Sequence, residues 1–488
     1  MLSGLMVAAV LLSGCAVGPD YRAAIVNFPA RWSSDQTRQT PSPAHLPHWW
    51  SRLNDPLLDA FIGEATASTL DVATSKAKIR EARYSMQQTT AGLFPSVTGS
   101  GSATRDKSST STVGNDSIVS GGDPYNQFQA GFDSSWELDL FGGTRRGVEA
   151  ATRNLEASED DLQATLLTLV GDVASYYIDA RGYQARIALA RRTAASQRET
   201  AALTRTKFEA GSASAVDAAK AVAQASSTEA NVPSYEAAYA ADVHRLGILL
   251  GREPLALTQA LARTAPIPTP RMPMPKGIPA DILLTRPDVR AAERRLAQAT
   301  AKIGQAEAAL YPSVSLTGSV STSALKLGDL AKYSSVGWSF GPSVSVPIFD
   351  AGKLRAAVGV SQAQRDQYHV AFRAAVLTAL EDVENAIVSL SSERTRMRQL
   401  ADAATNYREA ARLSRSLYQN GSSSFLDVLD SERSLYSSED SLLQSRVAVA
   451  KDYVALAKAL GGGWDGAIDS TKPEVIDADT GPHLPPSL

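Results

Sequence analysis

The chain has 488 residues, a formal charge of −3 and 44% hydrophobic residues, which supplies large cores and excludes a strongly basic nucleic-acid binder. Aromatics are sparse at 7%, while Ala, Ser, Leu and Arg are abundant, the composition of long helices rather than compact α/β domains. A single cysteine, Cys15, leaves no disulfide framework and no thiolate metal site.

The chain opens on a short apolar run, Leu5 to Leu12, ending in Leu12-Ser13-Gly14-Cys15. The run is too short to span a bilayer and reads as the core of a signal peptide, residues 1–14. Leu-Ser-Gly-Cys resembles the bacterial lipobox, which implies cleavage before Cys15 and diacylglyceryl attachment to its sulfur. An ordinary buried cysteine is the plain alternative. Two or more acyl chains anchor stably where one is marginal, and Ala16 in place of Asp goes with outer-membrane sorting. No Lys or Arg precedes the run, a departure that a truncated or misassigned start codon explains. Beyond Cys15 no apolar stretch is long enough for a spanning helix, so any membrane crossing must use β-strands.

After a lipidated extended segment, 15–56, the sequence is written twice, over 57–265 and 281–461, with a Pro-rich linker at 266–280 and a tail at 462–488. Gly211-Ser212-Ala213-Ser214 with Asp217 matches Gly421-Ser422-Ser423-Ser424 with Asp427, and Leu250-Gly251 matches Leu460-Gly461 at the same offset. Phe94-Pro95-Ser96-Val97 corresponds to Tyr311-Pro312-Ser313-Val314. Self-similarity of this kind marks a duplicated structural unit.

Each repeat begins with a helix and a pair of strands, expected at about 95–105 and 127–140, then 312–321 and 336–348. Phe128, Ala130, Phe132, Ser134, Trp136 and Leu138 alternate with polar or small residues, as do Trp338, Phe340, Pro342, Val344 and Val346. Period two over about ten residues, apolar on one face, fits a transmembrane β-strand or a half-buried soluble hairpin. A long helix follows, 144–210 and 352–419. Leu166, Leu169, Val173, Tyr176, Ala180, Tyr183 and Ile187 keep a 3.5-residue rhythm, which means coiled-coil packing. At ~1.5 Å per residue such a helix is roughly 100 Å long. A glycine turn, Gly211 or Gly421, leads into a return helix, 213–250 or 424–460. Pro233 should kink or divide the first of these.

Two strands per repeat make four per chain, too few to close a barrel, and open edges in hydrocarbon leave backbone groups unpaired at several kcal/mol each. Closure therefore needs further copies: two would give eight strands, three would give twelve with more room inside.

The order of elements resembles the TolC superfamily of outer-membrane efflux proteins, and more closely its NodT-type, OprM-like lipoproteins. The residues that carry the likeness are Cys15-Ala16-Val17-Gly18-Pro19-Asp20-Tyr21, Trp49-Trp50 with Asp55-Pro56-Leu57, Leu249-Leu250-Gly251-Arg252-Glu253-Pro254, and Leu284-Thr285-Arg286-Pro287-Asp288-Val289. The resemblance implies a mainly α fold with a β-barrel part. It further implies a homotrimer with a 12-strand β-barrel and a 12-helix α-barrel in the periplasm, set in outer-membrane lipid. Partners implied are a periplasmic membrane-fusion adaptor and an inner-membrane RND pump, with drugs or other small molecules as cargo.

Asp427 and Asp430 fall three residues apart on one helix face just after the second glycine turn. Tripled by symmetry they would ring the tunnel with carboxylates, and they match the family's acidic periplasmic constriction. Leu426 matches its apolar member, and Arg433 at i+3 from Asp430 could pair with it. A capping Asp and a solvated ion pair, worth little, are the plain alternative. The turns at Gly211, Ser212, Gly421 and Ser422 are candidates for adaptor docking, or simply tight turns. The five histidines share no metal-ligand spacing, and no nucleophile-elbow motif or phosphate loop stands out; neither a cofactor nor an enzyme activity is expected. Rival readings are an exit duct for type I protein secretion, and a periplasmic adaptor or coiled-coil lipoprotein. The two helical hairpins with strand pairs argue against the adaptor.

Overall fold

A computed structural model describes residues 16–23, 48–107, 123–270, 280–463, 466 and 468–471; the signal segment, Cys15 and most of the tail lie outside the described residues. The helices are α1 (Pro56–Ser68), α2 (Leu70–Ala91), α3 (Gly143–Glu209), α4 (Ala215–Glu229), α5 (Asn231–Leu249), the single turn α6 (Thr258–Leu261), α7 (Pro287–Ala308), α8 (Lys353–Gln419) and α9 (Phe425–Ala459). No described helix is long and apolar enough to cross a membrane. The chain divides into two compact units.

The first unit takes in Met1–Ala24, Arg80–Ala157 and Ala292–Phe372. It holds strands β1 (Ser96–Asp106), β2 (Tyr125–Leu138), β3 (Ser313–Ala324) and β4 (Val336–Ser345), antiparallel in the order β1-β2-β3-β4. Register pairs Gly99 with Phe132, Phe132 with Val320, and Val320 with Trp338. Directly opposed residues share a face, so Phe132, Val320 and Trp338 form one apolar row, continued by Trp136, Leu316 and Pro342 and by Leu138, Val314 and Val344. The opposite face carries Asp133 beside Ser319 and Ser319 beside Ser339. The apolar face is bare: Trp338 is 78% exposed, Phe340 69% and Phe132 66%. β1 and β4 have no strand on their outer edges among the described residues.

The second unit takes in Ile25–Ile79, Ser158–Ala291 and Arg373–Leu488. Asp55 caps α1, accepting from the Leu57 and Leu58 amides at 3.1 and 3.4 Å with Pro56 in the first turn, the favoured chemistry of a helix start. Its other oxygen accepts from the hydroxyl of the fully buried Tyr177 at 2.7 Å. Leu58, Ile62, Leu166, Val173, Tyr177, Ile178 and Tyr453 make the core. The rhythm expected along α3 is only one of its buried stripes. Tyr176 and Tyr183 are half-buried, whereas Tyr177, Arg181 and Gln184 are buried, because the helix is covered on more than one side.

The return helix expected at 213–250 is divided in two, one of the two outcomes expected of Pro233. α4 stops at Glu229 and α5 begins at Asn231. Glu229 lies four residues before Pro233, where the proline ring clashes with a helical carbonyl and no N–H can reach it. The second return helix lacks a proline and is continuous as α9.

Candidate functional site

The two glycine turns have the same geometry. Gly211 has φ +75° and Gly421 φ +78°, and a Cβ at either would meet nothing within 4 Å; the left-handed backbone, not space, selects glycine. In both, the next residue closes the helix end in Schellman fashion. Ser212 N–H donates to the Lys207 carbonyl and Ser422 N–H to the Leu417 carbonyl, each at 2.8 Å.

The chain then enters each return helix through a capping box. Ser214 Oγ accepts from the Asp217 amide at 3.1 Å, and Asp217 Oδ2 accepts from the Ser214 amide at 3.3 Å. Ser424 and Asp427 repeat this at 3.3 and 3.1 Å. Asp427 Oδ2 also accepts from the Ser423 hydroxyl at 2.7 Å and the Ser424 hydroxyl at 2.9 Å. These side-chain bonds, Ser423's first, hold the Asp427 carboxyl below its usual range. Asp427 is therefore the acidic partner in the capping box of Ser424, as Asp217 is in that of Ser214 in the first repeat.

Leu426 is 61% exposed, and Asp430 and Arg433 are exposed as well. Arg433 does not pair with Asp430 within the chain. Its Nε donates to Gln224 Oε1 on α4 at 2.5 Å, because the i+3 carboxylate competes with an amide presented by the neighbouring helix. The first candidate group is thus a capping-box acid (Asp427), an exposed apolar and acidic pair (Leu426, Asp430) and a cross-hairpin bond (Arg433).

Beneath the turns, Ala201, Ala221, Tyr418, Phe425, Val428 and Leu429 form one buried cluster. Farther from the turns lies a polar cross-link the sequence did not signal. Glu432 is buried, and its Oε1 accepts from the Thr200 hydroxyl at 2.9 Å and from Arg415 Nη2 at 2.5 Å. Arg415 Nη2 also reaches Ser196 Oγ at 2.6 Å. These partners stand on α3, α8 and α9, far apart in sequence, so no local spacing announces them. Among the described residues no group of three or more His, Cys, Asp and Glu converges as for a metal ion.

A family model described as outer membrane efflux protein matches residues 61–252 and 278–462. Nodulation protein T of Rhizobium leguminosarum bv. trifolii is 35% identical over 93% of this chain and 96% of its own length. The toluene efflux pump outer membrane protein TtgI of Pseudomonas putida is 32% identical over 94% of this chain and 97% of its own. Among solved structures, the outer-membrane channel OprN superposes with a TM-score of 0.85 at 33% identity, covering 92% of this chain and all of that one.

Proposed function

The chain belongs to the outer membrane efflux protein family, an outer-membrane efflux channel component, and from that premise we propose that three copies close into one conduit. Four strands from each copy would make a barrel of twelve, and the long hairpins a continuing α-barrel. The observation that carries this reading is the four-stranded sheet with two open edges and one bare apolar face. Open edges are tolerable in lipid only if another copy pairs with them, and a Phe/Trp/Val face suits hydrocarbon. A second row supports it: Val360, Val370, Leu377 and Val388 on α8 are 50–66% exposed, as a helix awaiting a neighbour would be.

The same reading makes Cys15 a lipid anchor and places the turns at Gly211, Ser212, Gly421 and Ser422 at the periplasmic end, facing a membrane-fusion adaptor. An RND pump completes the assembly, and the cargo is a drug or another small molecule. Leu426 and Asp430 narrow the tip, Asp427 adds charge while completing the capping box of α9, and Arg433 ties the second hairpin to the first through Gln224. Carboxylates gathered in one narrow cross-section attract cations in a field focused by low-dielectric walls.

Single-channel recording from purified oligomer in planar bilayers tests this. Asp427→Ala with Asp430→Ala should lower cation selectivity, read from reversal potentials, and weaken block by multivalent cations. Arg433→Ala should raise resting conductance. Unchanged selectivity and block in the double variant would move the constriction elsewhere, with Asp217 next in line.

A further inference from the structure

Residues 16–21 are not a loose leader. In the first unit they are seated against the start of α3 and against α7. Val17 N–H donates to the Phe141 carbonyl at 3.1 Å, just beyond the end of β2 at Leu138. Arg146, only 6% exposed, gathers the segment: Nε donates to the Val17 carbonyl at 3.2 Å, and Nη2 to the Gly18 carbonyl at 3.2 Å and Asp20 Oδ1 at 2.7 Å. Its remaining nitrogen, Nη1, reaches Glu149 Oε2 at 2.8 Å. Further along, the Tyr21 hydroxyl donates to Glu293 Oε1 at 2.9 Å.

The seat is tight where backbones cross. A Cβ on Gly18 (φ +91°) would lie 2.3 Å from the Gly304 Cα, and one on Gly142 (φ +80°) 2.8 Å from the Ala16 Cα. Neither glycine tolerates a side chain without displacing the segment.

Helix initiation does not require this arginine. Arg146 stands in the first turn of α3, where the helix dipole disfavours a cation and no acidic residue occupies the turn. Its own amide donates to the Gly142 carbonyl at 2.8 Å. The second repeat starts α8 the same way: Gly352 has φ +85° and accepts from the Ala356 amide at 2.9 Å. Alanine serves there. The arginine occurs in the one repeat that receives the N-terminal segment.

We propose that Arg146 is a positioning residue for the lipid anchor. It clamps Ala16–Tyr21 beside the base of the chain's own strands, so that a lipid carried by the residue that precedes Ala16 in sequence would tether the sheet to the bilayer. The inference rests on the lipid-anchor reading above. Acyl chains by themselves fix a protein to a membrane but not to a place on its own surface. A clamped tether holds the unpaired strands at the bilayer at high effective concentration, so strand insertion and pairing between copies proceed from an already docked chain.

The experiment follows heat-sensitive oligomer in the outer membrane after pulse synthesis of the full-length protein. Wild type and Arg146→Gln are compared in the native lipoprotein and in a Cys15→Ser form carrying a cleavable signal peptide. Assembly should slow at least fivefold for Arg146→Gln in the acylated protein and change less than twofold in the unacylated one. Asp20→Asn, on the exposed segment itself and harmless to the core, should slow the acylated form alone by a smaller factor. Equal slowing of both forms by Arg146→Gln, or none in either, overturns the clamp. Mass spectrometry of the wild type separates the two ideas: an unmodified Cys15 removes the anchor and the clamp with it, whereas an acylated Cys15 with equal slowing removes the clamp alone.

Discussion

Lys207, in the last turn of α3, donates to the carbonyl oxygen of Tyr418 at 2.6 Å, and its ammonium lies 4.6 Å from the centre of the Tyr418 ring. Tyr418 is in the last turn of α8, so one cation serves the carbonyl ends of two long helices at once, where helix dipoles favour positive charge. The Tyr418 hydroxyl completes the loop by donating to Thr204 Oγ1 at 3.2 Å. Lys207→Met should loosen the tip by about 1–2 kcal/mol, the value of a partly exposed hydrogen bond to a charged group. Hydrogen exchange at the amides of Gly421 and Ser422 should then quicken roughly tenfold. Exchange at the wild-type rate would mean that the bond does not hold the turns together.

The two faces of the sheet should respond differently to charge. Phe132→Arg or Val344→Arg puts a cation in the apolar row, at a cost of roughly 2–4 kcal/mol near mid-bilayer. Ser135→Arg or Ser343→Arg lies on the opposite face and should be far milder. Yield of heat-sensitive oligomer in the outer membrane is the readout. Equal loss on both faces would contradict lipid exposure of the Phe132 side.

Gln197 is 2% exposed, and neither its amide nitrogen nor its amide oxygen has a hydrogen-bond partner among the described residues. A buried amide without partners forfeits its hydration for nothing. Gln197→Met keeps the length and removes both polar atoms, so it should stabilise the protein by about 1 kcal/mol. A higher midpoint of thermal unfolding is expected, and a lower one would show that the amide is satisfied in solution.

Asp242, in the second unit, is a carboxylate whose charged form the fold disfavours. Burial first, and the Asp179 charge second, push its carboxyl from 3.8 up to about 6, with Lys451 opposing. The folded state therefore binds the proton more tightly than the unfolded chain. That contribution to stability is complete below about pH 4 and is lost as pH rises through about 6. Asp242→Asn should flatten the stability profile across this window and gain about 1 kcal/mol at neutral pH, allowing for the group's partial hydration. A wild-type slope between pH 4 and 6 in the variant would assign the titration to another group.

Several features are legible in the sequence because their cause is local. Phe128 to Leu138 alternate because a strand's faces do, Gly211 and Gly421 stand where φ is positive, and Pro233 ends α4 at the carbonyl its ring would strike. β1 is harder to read, since Val97 is its one large apolar residue and shares its face with Gly99, Gly101, Ala103 and Arg105. What escapes depends on distant partners. Arg433 finds Gln224 across 209 residues and Glu432 finds Thr200 across 232, distances over which spacing says nothing. Arg146 does leave a trace, a cation in the first turn of a helix against its dipole, and its partners are Glu149 one turn on and the segment at Val17–Asp20.

The matched capping boxes carry a consequence beyond helix initiation. Aligning Ser214 with Ser424 and Asp217 with Asp427 puts Val216 (59% exposed) opposite Leu426 (61%), a like-for-like exchange. Six residues on from the capping serines, the same alignment sets Lys220 against Asp430, both exposed. Duplication has preserved the shape of the hairpin tip and the acid at Asp217 and Asp427, and has changed the sign of charge at one exposed position, Lys220 against Asp430. In a closed ring of copies this one position would alternate around the rim, Lys220 then Asp430. The backbone comes into near-register after a turn of one hairpin, but the electrostatic potential returns only after two. An ion approaching such a rim would thus meet half the rotational symmetry that a neutral molecule would.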